Sequence, residues 1–282
     1  MGIQLVVDRV RWQGLLAGAA VLLAGVPALD APALAQDATP GASPVRAAAD
    51  CAPAEAASVP LAEARLFIEY NATDGDLGVH GQFGTEGFSL LCVIAPNGTP
   101  LLAVAPHGPL QELGLDTFFL ESREPPLAEF GFPELQAAFP AGAYTVSGTL
   151  VDGRSVAGTA TFTLAVPAAP TILAPELADD EEGAREAVVS ADDLVIEWAD
   201  VTETVDGAAV TITGYEVIVT KFEHDDPHGL SRPVYDVHVP ADRNALPVPA
   251  AFLEPDTVYE VEVLALEQSG NQTITVGFFA TE

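Results

Sequence analysis

Within EYNATDGDLGVH (residues 69–80), four hard-oxygen side chains fall in one short turn: Asn71, Thr73, Asp74 and Asp76. Gly75 and Gly78 give the backbone room to fold around an ion. Calcium takes about six to eight such oxygens, so these four residues are the candidate metal site, and Ca2+ is the one cofactor expected. Glu69, Glu86 or backbone carbonyls would complete the shell. The spacing is not that of an EF-hand loop, and the same residues also suit a plain polar turn between strands. Asp74, Asp76 and His80 open a different option, the carboxylate pair of an exported hydrolase. That chemistry needs two carboxyl groups facing each other across a cleft, with one pKa raised.

The remaining reactive residues form no familiar set. His80 and His107 are far apart in sequence. FEHDDPHGL (222–230) places His224 and His228 around Asp225 and Asp226, but Pro227 and Gly229 make this a loop, so helical i, i+4 geometry does not apply. It suits an ordinary polar loop or a loose zinc or copper site. No nucleophile-elbow serine, phosphate loop, dinucleotide glycine pattern, C-x-x-C or H-E-x-x-H occurs. The expectation is a protein that is not an enzyme.

The elements that must position these residues read as β-structure. ARLFIEY (64–70), FSLLCVIAP (88–96) and DTFFLES (116–122) are strand-like, and Asn97-Gly98 marks a hairpin turn into PLLAVAP. PELQAAF (133–139) suits one or two helical turns, opened by proline and stopped by Pro140. AYTVSGTLV and SVAGTATFTLAV face each other across Asp152-Gly153 as a second hairpin. A β-sandwich over 61–167 follows, with a partial barrel as the alternative. Its phenylalanines Phe83, Phe88, Phe118, Phe119 and Phe132 would serve a carbohydrate- or peptide-binding face if a pair were exposed, and the core otherwise.

After the Pro-Ala break PAAP (167–170), DLVIEWA (193–199) carries Trp198, ITGYEVIVT (212–220) carries Tyr215, and FLEPDTVYEVEVLALEQSGNQT (252–273) carries Leu253 and Tyr259 before an alternating strand. On those residues, 168–282 resembles a fibronectin type III domain. The resemblance implies a core tryptophan at Trp198 and a corner tyrosine at Tyr259, its hydroxyl tied to nearby backbone. Val261, Val263 and Ala265 should face inward, and Glu260, Glu262 and Leu264 outward. ELADDEEGAREAVVSADD (176–193) is an acid-rich departure, read as a solvated insertion or an ordered calcium loop. The chain from residue 61 onward also resembles a group of bacterial secreted proteins that open on a segment like Phe67–Asp74 and end in a fibronectin-like module. That resemblance implies no activity. The fold class expected is all-β, two β-sandwich-like domains in tandem, the C-terminal one fibronectin type III-like.

Residues 1–35 read as a signal peptide: Arg9 and Arg11, an apolar stretch, then Ala33-Leu34-Ala35 as the cleavage site. Residues 36–60, rich in Ala and Pro, read as a disordered linker. No segment of the remaining chain is long and apolar enough for a membrane span. The sequence carries 41 Asp and Glu against 10 Lys and Arg, a net −31. Such a surface repels a phosphate backbone and an anionic leaflet, so nucleic acid is not expected as a partner. Cys51 and Cys92 can pair in an oxidising compartment, or Cys92 can be a small buried hydrophobe. The composite expectation is an exported protein, extracellular or periplasmic or at the cell surface. It would be structural or adhesive, calcium-stabilised, and bound to protein, surface polysaccharide or copies of itself.

Overall fold

The computed structural model describes Cys51, residues 58–224 and residues 233–282. The expected signal peptide (1–35), nearly all of the expected linker (36–60), and His228 with its neighbouring aspartates lie outside the described residues.

The first half holds β1 (Val59–Pro60), β2 (Glu63–Asn71), β3 (Asp76–Ile94), β4 (Pro100–Val104), α1 (Pro109–Leu113), β5 (Leu115–Glu121), α2 (Phe132–Ala138), β6 (Gly142–Leu150) and β7 (Ser155–Phe162). β3 is longer than the run at 88–96 suggests, because its first part pairs with β2 and β5 and its second with β4 and β6. The register shifts between Gly84 and Phe88, so one strand turns a corner and serves two sheet segments. Alternation then buries Leu66 and Ile68 of β2 with Leu77, Val79 and Phe83 of β3 in one core with Tyr144, Val146, Val156 and Phe162. The Tyr144 hydroxyl donates to the Pro140 carbonyl at 3.1 Å. The Cys51–Cys92 disulfide is formed and ties the start of the described chain to β3.

The second half holds β8 (Ile172–Ala174), β9 (Val188–Val189), β10 (Val195–Trp198), β11 (Ile212–Lys221), β12 (Val234–Pro240), β13 (Ala245–Pro247), β14 (Val258–Glu267) and β15 (Gln272–Thr281). A three-stranded sheet, β13-β10-β8, faces the run β15-β14-β11-β12, the two-layer arrangement of a fibronectin type III-like sandwich. Trp198, Tyr215, Val217, Tyr259, Val261, Val263, Ala265 and Phe279 fill the space between. The Tyr259 hydroxyl accepts the Glu254 N–H at 2.7 Å and donates to the Phe252 carbonyl at 3.5 Å, closing the expected corner. The Tyr215 hydroxyl accepts the Val201 N–H at 2.9 Å. Burial raises the pKa of both tyrosines.

The acid-rich segment at 176–193 corrects the solvated-insertion reading. Its apolar residues are anchored on the outer face of β15. Ala178 pairs with Phe278, and β9 runs parallel to the end of β15. Leu177 lies where a side chain on Gly277 would stand: a Cβ there would come within 2.7 Å of Leu177 Cδ1. Ala184 and Ala178 join Leu264, Ile274, Val276 and Phe278 in a further apolar cluster. Leu264 therefore does point outward along the strand, yet is fully buried. The Asp180 carboxylate accepts the Gly183 N–H at 2.7 Å, ordering the turn from within.

Candidate functional site

Two features place polar groups where the fold would otherwise be dry. The first begins with strand periodicity. Phe67 and Glu69 on β2 oppose His80 and Gly78 on β3, on the face turned away from the core that Leu66, Ile68 and Val79 line. That face is covered nonetheless, and Glu69 and His80 are each 2% exposed. From one side, the segment after β5 folds back so that Glu124 Oε1 accepts a hydrogen bond from His80 Nε2 at 3.0 Å. Gly78 makes this reach possible: a Cβ there would stand 2.8 Å from Glu124 Cγ. On the ring's other side, Glu69 Oε2 is 3.6 Å from His80 Nδ1, beyond hydrogen-bond length. Phe67 and Phe119 meet the imidazole edge-on at 5.5 and 5.8 Å.

The opposite cover comes from the second half of the chain. Gln272 donates through Nε2 to Glu69 Oε2, and Gly270 lies over Phe67. β2 and β15 pair in parallel over Glu69–Asn71 and Gln272–Ile274, so the sheet order runs unbroken through β3-β2-β15-β14. Asn271, 1% exposed, accepts the Ile68 N–H through Oδ1 at 2.8 Å and donates through Nδ2 to Thr163 Oγ1 at 2.9 Å. Thr273 and Thr275 donate to the carbonyls of Pro167 and Pro170 at 2.6 and 2.7 Å. Every one of these bonds joins residues more than 100 positions apart in the chain.

The Glu69–His80–Glu124 group could hold a metal by residue type, since its ligand atoms lie within 4.8 Å of one another. Its two carboxylates address opposite ring nitrogens, which is the geometry of a clamp on the imidazole. With the histidine buried and no hydroxyl nucleophile bonded to it among the described residues, the group suits positioning.

The expected calcium turn lies between β2 and β3. Asn71 Oδ1 accepts the N–H groups of Thr73 and Asp74, each at 3.1 Å, and Asn71 Nδ2 donates to Asp74 Oδ2 at 3.0 Å. Thr73 Oγ1 accepts the Val276 N–H at 2.8 Å, so this residue contributes to the same junction. Asp76 pairs with Asn71 in the hairpin. The structure thus groups the four expected residues in one turn, with the Asn71 and Thr73 oxygens engaged by backbone. Asp74 and Asp76 do not join His80: the histidine faces Glu69 and Glu124. A cavity of about 300 Å³ in the first half is mostly apolar, lined by Leu77, Val79, Phe130, Leu135 and Phe139 with the Arg123–Glu129 pair at its rim, and none of Asp74, Asp76 and His80 lines it. The five phenylalanines pack inward or half-inward: Phe83 and Phe88 are buried, Phe118 and Phe132 abut the core, and Phe119 lies against His80. No exposed pair forms among them.

No protein-family model matches the chain, and no curated protein matches it. Among solved structures it is similar to the FN1–FN3 domains of chicken CNTN1, at 12% identity over 79% of this chain and 68% of that one, with a TM-score of 0.28. It is also similar to a structure from a 1.5-MDa bacterial ice-binding adhesin, at 16% identity over 80% of this chain and 66% of that one, with a TM-score of 0.24. Nothing about function follows from likeness this distant.

Proposed function

We propose that the chain is a non-catalytic exported protein of the surface or adhesion type, in which two β-sandwiches act as one stiff body. The observation that carries this reading is the junction through Asn271. Flexible tandem modules share few contacts across their boundary. Here a buried asparagine, a buried threonine bonded to Pro167 and a shared sheet fix one half on the other. A buried polar contact of this kind tolerates one register only. Protein, surface polysaccharide or further copies of the chain are the partners that fit. Leu113, 76% exposed, and Val151, 46% exposed, lie on either side of Gly114 and offer an apolar contact. Among the described residues no helix is long and apolar enough to cross a membrane.

Sedimentation velocity across a wide concentration range, with and without calcium, tests the association. Growth of a larger species, reduced by Leu113→Asp, supports it; a strict monomer in all conditions overturns it. Calcium at the 71–76 turn belongs to the same proposal, supported by the four oxygen-bearing side chains Asn71, Thr73, Asp74 and Asp76 in one turn. An ion there would compete with the Asn71 and Thr73 bonds. Saturable calcium binding that Asp74→Ala and Asp76→Ala abolish supports the site, and absence of binding removes it.

A further inference from the structure

The sheet edges differ in what guards them. An unguarded edge is a template for another strand, and acids, prolines or shortness normally blunt it. β12 carries Asp236, and β5 carries Asp116 and Glu121. β8 and β13 are three residues each, with Pro175 and Pro247 at their ends. β4 is different. It pairs with the second part of β3 along one edge, and among the described residues no strand pairs with its other edge. Leu101, Leu102, Ala103 and Val104 are all half-buried. Residues 87–111, which run from β3 through β4 into α1, contain no Asp, Glu, Lys or Arg, in a chain of net charge −31.

That charge pattern selects the occupant. Two copies of so acidic a chain repel each other over most of their surface, and paired strands that carry carboxylates would set like charges opposite one another. At β4 a second copy meets no like charge. The strand also offers no acid to draw a basic partner. Prolines then fix the register. Pro100 and Pro106 lack the N–H that a ladder needs, and they bracket Leu101–Ala105. Antiparallel pairing stays inside that window when Ala103 of each copy faces Ala103 of the other. Leu102 then stands opposite Val104, and Leu101 opposite Ala105. Leu101, Leu102 and Val104 already pack partly against the first core, and the added strand extends their cover. Next along the chain, α1 buries none of its residues and leaves Leu110 and Leu113 46% and 76% exposed.

We propose that two copies of the chain associate edge to edge through β4, as antiparallel strands centred on Ala103, so that two sheets become one. The proposal rests on the reading that the chain self-associates, and names the strand that does it. A pairing this short covers less than the ~1,200 Å² of a stable complex, so the dimer is reversible and depends on concentration.

Sedimentation velocity of the full chain over a wide concentration range tests this, on the parent, Ala103→Lys, Ala103→Glu and an equimolar mixture of the two variants. Where Ala103 faces itself, each variant alone sets two like charges together and should dimerise at least tenfold more weakly. The mixture brings opposite charges together and should restore the dimer. Melting curves check that both variants fold. In the parent, amide exchange at alternate residues of Leu101–Ala105 should slow as concentration rises. A parent that stays monomeric overturns this proposal and the self-association reading together; β4 amides protected in that monomer would mean that the chain covers its own edge. A parent that associates, with variants that associate equally well, overturns the β4 pairing alone and leaves self-association to another surface. Variants that weaken the dimer but do not recover on mixing overturn the Ala103-centred pairing.

Discussion

Asn271 Oδ1 accepts the backbone N–H of Ile68 at 2.8 Å across 203 residues of chain. The asparagine lies in the turn between β14 and β15, and Ile68 in the middle of β2. The bond therefore fastens a fibronectin-like hairpin to the sheet of the other sandwich at a point closed to water. Asn271→Ala leaves the Ile68 N–H buried without its acceptor and also removes the donor to Thr163. At about 1–3 kcal/mol for a buried unsatisfied group, the expected loss is ~3 kcal/mol. That is a fall in Tm of roughly 6–12 °C for a body of this size, checked by thermal unfolding. A melt within a degree or two of the parent would show that the junction is ornamental.

Tyr259→Phe removes the hydroxyl that accepts the Glu254 N–H. The expected cost is about 1–2 kcal/mol, read as a shifted urea midpoint with an unchanged slope. Tyr235→Phe is the comparison: its hydroxyl donates to the Pro247 carbonyl from an exposed position and should cost less.

Reduction of Cys51–Cys92 releases a loop with a sequence separation of 41. Chain-entropy reasoning puts its contribution at about 4 kcal/mol. Melting with and without reductant should differ by several degrees, and Cys51→Ser should match the reduced protein. Equal melts would mean that the bridge leaves the unfolded ensemble unconstrained.

Glu216, Asp236 and His238, which meet across β11 and β12, set a pH dependence. Asp236 is raised to about 6 by desolvation and Glu216, with His238 opposing. Glu262 on β14 is the next acid on that face, beyond Ile218. A carboxyl whose folded pKa is raised contributes stability that is full below its unfolded value near 4 and lost as pH rises through about 6. His238, also raised, loses its contribution as pH climbs above its ordinary value near 6.5. Asp236→Asn should therefore stabilise the protein at pH 7.5, by about 1 kcal/mol once solvent screening is allowed for, and have little effect at pH 4. A benefit equal at both pH values would contradict the assignment.

Much of the sandwich was legible because single strands declare themselves locally. Alternation in VYEVEVLALE marked the inward residues, and the spacing of Leu253 and Tyr259 marked the corner. The acid-rich stretch at 176–193 was misread because its composition is dominated by solvated carboxylates, while only Leu177, Ala178, Ala184 and Val189 matter for packing. The signal was on the other side of the contact: Leu264, apolar at an outward position, required a cover. The Glu69–His80–Glu124 clamp was not legible. Its members meet only through the β2–β3 register and the return of the chain after β5. Glu216, Asp236 and His238 were missed for a similar reason, since β12 had no distinctive pattern and its pairing with β11 alone brings them together.

Differential scanning calorimetry of the full chain, beside Asn271→Ala, tests the central claim most directly. If the two sandwiches act as one body, the parent unfolds in a single endotherm whose calorimetric and van't Hoff enthalpies agree, and Asn271→Ala splits it or lowers it as a whole. Two separate endotherms in the parent, neither moved by the substitution, would contradict the account and leave two modules that merely follow one another in the chain.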